Sequence, residues 1–218
     1  PTMVRAAAKN YNDVTVITSI SHYVELINEL KRNKGSTTLK FREKMSRLAF
    51  SETAYYDAVI SNYFNKFNNI HFPKRKILYS NLVENLRYGE NPHQMGALYS
   101  QNLKNKLGQI HGKTLSYNNY SDIFAALTIS KSLQKNTGTV IIKHGNPCGV
   151  SALKNNLDSY ISALKSDPIS AFGGVVSCNY RINQKLAFML SKIFLEVVIA
   201  NGFDKKALKI LKLKKNLR

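Results

Sequence analysis

The sequence predicts an α/β protein with a largely parallel sheet. From about residue 121 onward, helical periodicities alternate with short β-branched runs, the pattern of βαβ units. Apolar residues make up 44% of 218, enough for a sizeable core, and no run of eighteen or more apolar residues is present to span a membrane. The length suits one large domain, or one domain and part of another. There is no internal repeat and no low-complexity tract.

Val14-Thr15-Val16-Ile17 reads as a first strand. Ser19 or Ser21 caps a helix through about Arg32, with Val24, Ile27 and Leu30 on one face, and Gly35 ends it. Thr37 or Thr38 opens the next helix, where Phe41, Met45 and Leu48 fall at i, i+4 and i+7. Ser51-Glu52-Thr53 begins a further helix to about Phe64, carrying Tyr56, Val59, Ile60 and Tyr63. Residues 65–80 are polar, aromatic and irregular, contain Pro73, and mark a domain boundary.

Beyond it, Ser121 caps a helix to about Gln134, and residues 139–142 form a strand. A helix over 157–165, a strand over 174–178, a helix over 183–195 and a strand over 197–200 follow. A last helix starts near Asp204. The chain opens on Pro1 and its last helix runs into Asn216-Leu217-Arg218, so both ends are expected to cut through folded structure.

Lys and Arg outnumber Asp and Glu by 32 to 13, a net charge of +19. Such an excess fits a nucleic-acid surface or a site for anionic small molecules. The simplest reading is solvated helix faces, because the basic residues are spread along the whole chain. The densest run, residues 205–215, is interleaved with Leu208, Leu211 and Leu213 like a surface helix. No RNA-binding, zinc-finger or basic-zipper pattern accompanies it. Cys148 and Cys178 form no CxxC pair, which fits a reducing compartment and no disulfide framework.

Residues 139–149 carry the first candidate site. A buried strand delivers Lys143 and His144, and Gly145, Pro147 and Gly149 then make a tight turn into a possible helix start. A cation beside an imidazole can hold an anion and move a proton. Taken alone, the pair reads first as an exposed lysine and a histidine hydrogen-bonded in the turn, since Lys-His is a weak pattern.

In Leu86-Arg87-Tyr88-Gly89-Glu90-Asn91-Pro92-His93-Gln94, Arg87 suits a phosphate and Tyr88 a heterocycle; alone, the segment is a surface turn. Ser170-Ala171-Phe172-Gly173-Gly174 is a strand-entry turn or a close backbone approach to a ligand. Ser116-Tyr117-Asn118-Asn119 is an Asx-type turn or an amide site.

Two near-matches fail. Residues 108–114 end in Gly-Lys-Thr, but Leu107 occupies the position of the first P-loop glycine. Pro147-Cys148 lacks the second cysteine of a zinc deaminase, the place being Ser151, and no His-x-Glu precedes it; no metal site is expected.

These four motifs, preceded by Arg5-Ala6-Ala7-Ala8-Lys9-Asn10 and taken with Leu115 before Ser116, resemble in order and across essentially the whole chain the AICAR transformylase/IMP cyclohydrolase family. The resemblance implies that residues 1–65 are the C-terminal part of a cyclohydrolase domain similar to methylglyoxal synthase. Residues 66–80 become a linker, and residues 81–218 the first half of a transformylase domain with a cytidine-deaminase-like fold.

It further implies Lys143, His144 and Lys9 as catalytic residues. Arg87, Tyr88, Asn119, Phe172, Gly173 and Glu196 line the AICAR site. The implied co-substrate is 10-formyltetrahydrofolate, with no tightly bound cofactor. The ligands would be AICAR, FAICAR, IMP and folate, and the assembly a cytoplasmic homodimer without nucleic acid or membrane. In that family both halves of the transformylase domain build its site, so this chain is expected to be incomplete for both reactions. It departs from the family at Ala200-Asn201-Gly202, where Ala-Pro-Gly is usual.

Overall fold

The computed structural model describes residues 1–101 and 107–218. They form two compact units, Pro1–Ser80 and Asn81–Arg218.

The first unit is helical: α1 (Thr2–Lys9), α2 (Tyr23–Arg32) and α3 (Leu39–Phe67). The strand expected at residues 14–17 is absent. That segment is irregular, and the Arg42 guanidinium binds the Tyr11 and Asn12 carbonyls just before it, at 2.8 and 2.7 Å. A β-branched run needs a partner strand, and none lies beside it among the described residues. Ser19 caps a short 3-10 turn ahead of α2, and Thr38 caps α3 by accepting from the Phe41 amide.

The two helices expected between residues 38 and 64 are one. Ser51 and Thr53 do not start a helix but donate back to the Arg47 and Phe50 carbonyls at 3.1 and 3.2 Å. Hydroxyls in this arrangement sit inside a helix without breaking it. α1 rests on α3 through Ala8, whose carbonyl accepts from the buried Ser46 hydroxyl at 2.7 Å.

The second unit opens with an antiparallel pair, β1 (Asn81–Asn85) and β2 (Ala97–Ser100). Then come α4 (Tyr117–Ser132), β3 (Gly138–Lys143), β4 (Asn146–Ala152), α5 (Asn156–Ser166), β5 (Gly174–Ile182), α6 (Gln184–Ser191), β6 (Leu195–Phe203) and α7 (Lys205–Lys212). The main sheet has the order β4-β3-β5-β6.

This sheet is mixed, which corrects the parallel expectation. β3 is antiparallel to both β4 and β5, and only β5 and β6 are parallel. The cause is local: residues 144–145 are a two-residue hairpin turn, not the entry to a helix. Side-chain alternation sends Val140, Ile142, Val175 and Val197 to one face, under α4 with Ile123 and Ala126. Ile141, Val176, Cys178 and Val198 face the other way, onto α5, α6 and α7. Helix cover on both faces explains the continuous apolar runs of β3 and β5.

Candidate functional site

The expected site residues of the second unit converge where β3 ends and β5 and β6 begin. In an all-parallel sheet Lys143, at a strand's end, and Gly173 and Glu196, at strand starts, would lie at opposite edges; here the antiparallel β3 brings its end to the other strands' starts.

The N-terminal half of α4 organises this edge. Ser116, not Ser121, is its cap, and with Asn119 it forms a capping box. Asn119 Oδ1 accepts from the Ser116 amide at 3.1 Å, while Asn119 Nδ2 donates to Glu196 Oε2 at 2.6 Å. One buried amide therefore satisfies a helix start and fixes a carboxylate on β6. One residue earlier, Asn118 Nδ2 donates to the Glu90 carbonyl at 3.1 Å. The Tyr117 amide donates to the Tyr88 carbonyl at 3.3 Å, and the Arg87 amide to the Leu115 carbonyl at 3.4 Å. These bonds hold the Arg87–Tyr88 loop against the helix start. Within that loop the Arg87 guanidinium lies 4.7 Å from the Tyr88 ring centroid and donates to its hydroxyl at 2.9 Å.

Lys143 is partly buried, and its Nζ donates to the Gly173 carbonyl at 2.8 Å. Gly173 has φ +68°, and its amide donates to the Phe194 carbonyl at 2.8 Å, two residues before Glu196. Phe172, 64% exposed, stands beside Phe194 with ring centroids 5.3 Å apart. His144 is exposed at the tip of the β3–β4 turn. Hydrogen bonds thus run from Lys143 through Gly173 to the start of β6, and from Glu196 to α4.

The structure brings together Arg87, Tyr88, Asn119, Lys143, His144, Phe172, Gly173 and Glu196, all in the second unit. Lys9 belongs to the first unit, where it is exposed in the last turn of α1.

Arg218 was not anticipated. Its Nη1 lies 3.8 Å from Glu196 Oε2, with its side chain 8% exposed. Burial, then the neighbouring charge of Arg87, holds its guanidinium below the usual arginine range. Arg87 and Arg218 are neighbouring charges and only Glu196 is paired with Arg218, which leaves net positive charge for an anion. Only the tertiary fold, which pairs the Arg218 backbone with Glu196 and Val198 of β6, brings it here.

Among the described residues, no three His, Cys, Asp or Glu side chains cluster as metal ligands, and no helix is long and apolar enough to cross a membrane. An apolar cavity of about 240 Å³ lies between β6, α7 and residues 107–111, and includes none of the expected site residues.

Fold and site together define a mixed α/β unit with a lysine–histidine pair at one sheet edge, joined in sequence to a helical unit. The profile of the AICARFT/IMPCHase bienzyme family matches residues 7–218, and the chain belongs to that family. It is 43% identical to the bifunctional purine biosynthesis protein PurH of Acetivibrio thermocellus, over all of this chain and 43% of that protein. The PurH of Thermoanaerobacter sp. is likewise 43% identical, over 100% of this chain and 43% of its own length. That of Bradyrhizobium diazoefficiens is 42% identical, over 100% and 42%. The chain thus spans less than half the length of these relatives.

Proposed function

We propose that this chain serves de novo purine biosynthesis. It would carry the formyl group of 10-formyltetrahydrofolate to the 5-amino group of AICAR, giving FAICAR, as part of an enzyme that closes FAICAR to IMP with loss of water. The observation that carries the reading is the pairing of an anchored Lys143 with an exposed His144 beside the Asn119–Glu196 pair, in a chain of this family.

The 5-amino group is a poor nucleophile, because its lone pair delocalises into the imidazole ring and carboxamide. It needs a base for its proton and a charge near the tetrahedral oxyanion. His144 suits the first role, and a positioned base is worth about 10² to 10⁴ in rate. Lys143 suits the second, as an ammonium near developing negative charge. Arg87 would take the phosphate, Tyr88 and Phe172 the ring faces, Glu196 and Asn119 the polar edge of AICAR, and Gly173 a close backbone approach.

On this reading, residues 1–65 are the end of a methylglyoxal-synthase-like cyclohydrolase domain that contributes Lys9, and residues 66–80 are a linker. Residues 81–218 are the cytidine-deaminase-like first half of the transformylase. The ring closure is intramolecular, so orientation does most of the work, with Lys9 supplying charge. Folate acts as a co-substrate and no cofactor is held tightly. The assembly is a cytoplasmic homodimer that binds neither nucleic acid nor membrane.

The test is formyl transfer in a polypeptide of the relatives' full length that carries this segment. His144→Ala should lower kcat about 10² to 10⁴-fold. Near-normal turnover would overturn the assignment.

A further inference from the structure

His144 is presented by an unusual backbone. Lys143 and Asn146 are paired across the hairpin, so His144 and Gly145 are its two turn residues. Both have positive φ, +52° and +75°. Such turns favour Asn-Gly, because asparagine tolerates the left-handed region and most side chains do not. Histidine is among the few other side chains found there, less suited than asparagine, and bonds from outside the turn help to hold it.

Asp122, on the second turn of α4, provides that support. Its Oδ1 accepts from the Gly145 amide at 2.7 Å. Asn146 Nδ2 closes the turn from the other side by donating to the His144 carbonyl at 3.1 Å. A carboxylate accepting from a backbone amide makes a shorter and stronger bond than a neutral acceptor. Asp122 lies one helical turn beyond Asn118 and Asn119, so a single helix segment grips the Tyr88–Glu90 loop, Glu196 and the histidine turn.

We infer that Asp122 is a positioning residue of the transformylase site, holding the His144–Gly145 turn so that the imidazole meets the amine to be formylated. Asp122 itself transfers no proton and touches no substrate. This inference rests on the role proposed above for His144, and it is tested by two readouts that separate the two ideas.

The first readout needs no activity. In the 218-residue chain labelled with ¹⁵N, the Gly145 amide should exchange at least about tenfold faster in Asp122→Ala than in wild type. In Asp122→Asn, which keeps an oxygen acceptor without the charge, the amide resonance should move and exchange should rise less. An unmoved Gly145 resonance in both variants overturns the anchor. If Asp122→Ala does not fold, Asp122→Asn decides alone on the same criterion.

The second readout is formyl transfer at full relative length. Asp122→Ala should lower kcat about 10- to 100-fold, the scale expected when a catalytic group is displaced by about an ångström. The KM for AICAR should change less than threefold, and Asp122→Asn should recover most of the rate. Unchanged kcat in Asp122→Ala, with His144→Ala inactive, overturns the positioning role and leaves the function intact. An active His144→Ala overturns the functional reading, and the positioning role with it, whatever Gly145 reports.

Discussion

The Lys143 ammonium donates to the carbonyl of Gly173 at 2.8 Å, across 30 residues of chain. A β-carbon added at Gly173 would stand 2.8 Å from that same nitrogen, at a backbone φ of +68°. Lysine position and glycine identity are therefore one constraint.

Gly173→Ala should strain the backbone by roughly 1–2 kcal/mol and push the ammonium from its seat. The melting temperature should fall by several degrees, while formyl transfer at full relative length drops by an order of magnitude or more. Activity retained alongside the lower melting temperature would show that the Lys143–Gly173 bond is structural only.

Asn119 performs two tasks that substitutions can separate. Asn119→Ala keeps the Ser116 cap but loses the reciprocal half of the capping box and the Glu196 bond, and should cost roughly 1–3 kcal/mol in urea unfolding. Asn119→Asp keeps an oxygen to accept from the Ser116 amide but sets a second carboxylate against Glu196. It should retain more stability than the alanine variant and still lose AICAR affinity by calorimetric titration.

Gly149 of β4 lies against α5: an added β-carbon would come 1.8 Å from the Ala163 carbonyl oxygen. Backbone has no rotamer with which to yield, so Gly149→Ala must separate strand from helix. A loss of about 3 kcal/mol, read from the urea midpoint, is the expected result.

The two thiols should differ. Burial pushes the Cys178 thiol up to about 12; Cys148 is also raised, first by burial and then by the charge of Asp167, but remains partly exposed. At pH 8 a thiol reagent should modify Cys148 first, and Cys178 only on unfolding. In the unfolded chain Cys178 ionises near the ordinary thiol value of about 8.5, whereas in the fold it stays protonated. Its contribution to stability is therefore complete below about pH 8.5 and declines as pH rises toward 12. Burial likewise raises Tyr160 to about 12, adding to the loss above pH 10. Urea midpoints measured from pH 7 to 11 should show this decline, with Cys178→Ala flattening its lower part.

The alternation of helix and strand after residue 116 was legible because each element carries its own periodicity and cap. Residues 174–178 read as a strand and 157–165 as a helix, and β5 and α5 contain them. What could not be read was set by partners. Ser121 and Ser116 are both plausible caps; Ser116 serves because Asn119 completes the box. Ser51 and Thr53 resemble a helix start, yet their hydroxyls bond back into one continuous helix. Residues 14–17 have strand chemistry and no strand to pair with among the described residues.

The sequence by itself determined the ordered motifs and the family, because side-chain identity at fixed spacing survives without coordinates. It also placed Lys143 and His144 side by side, since they are neighbours in the chain. Only the tertiary structure decided that β3 runs against β5, which puts Lys143 beside Gly173. It alone brought Asp122 under the histidine turn and Arg218 beside Glu196. Those contacts join residues from 22 to 30 positions apart, or more in the case of Asn119 and Glu196, 77 apart. No local periodicity encodes such distances; packing and hydrogen-bond satisfaction across the whole sheet select them.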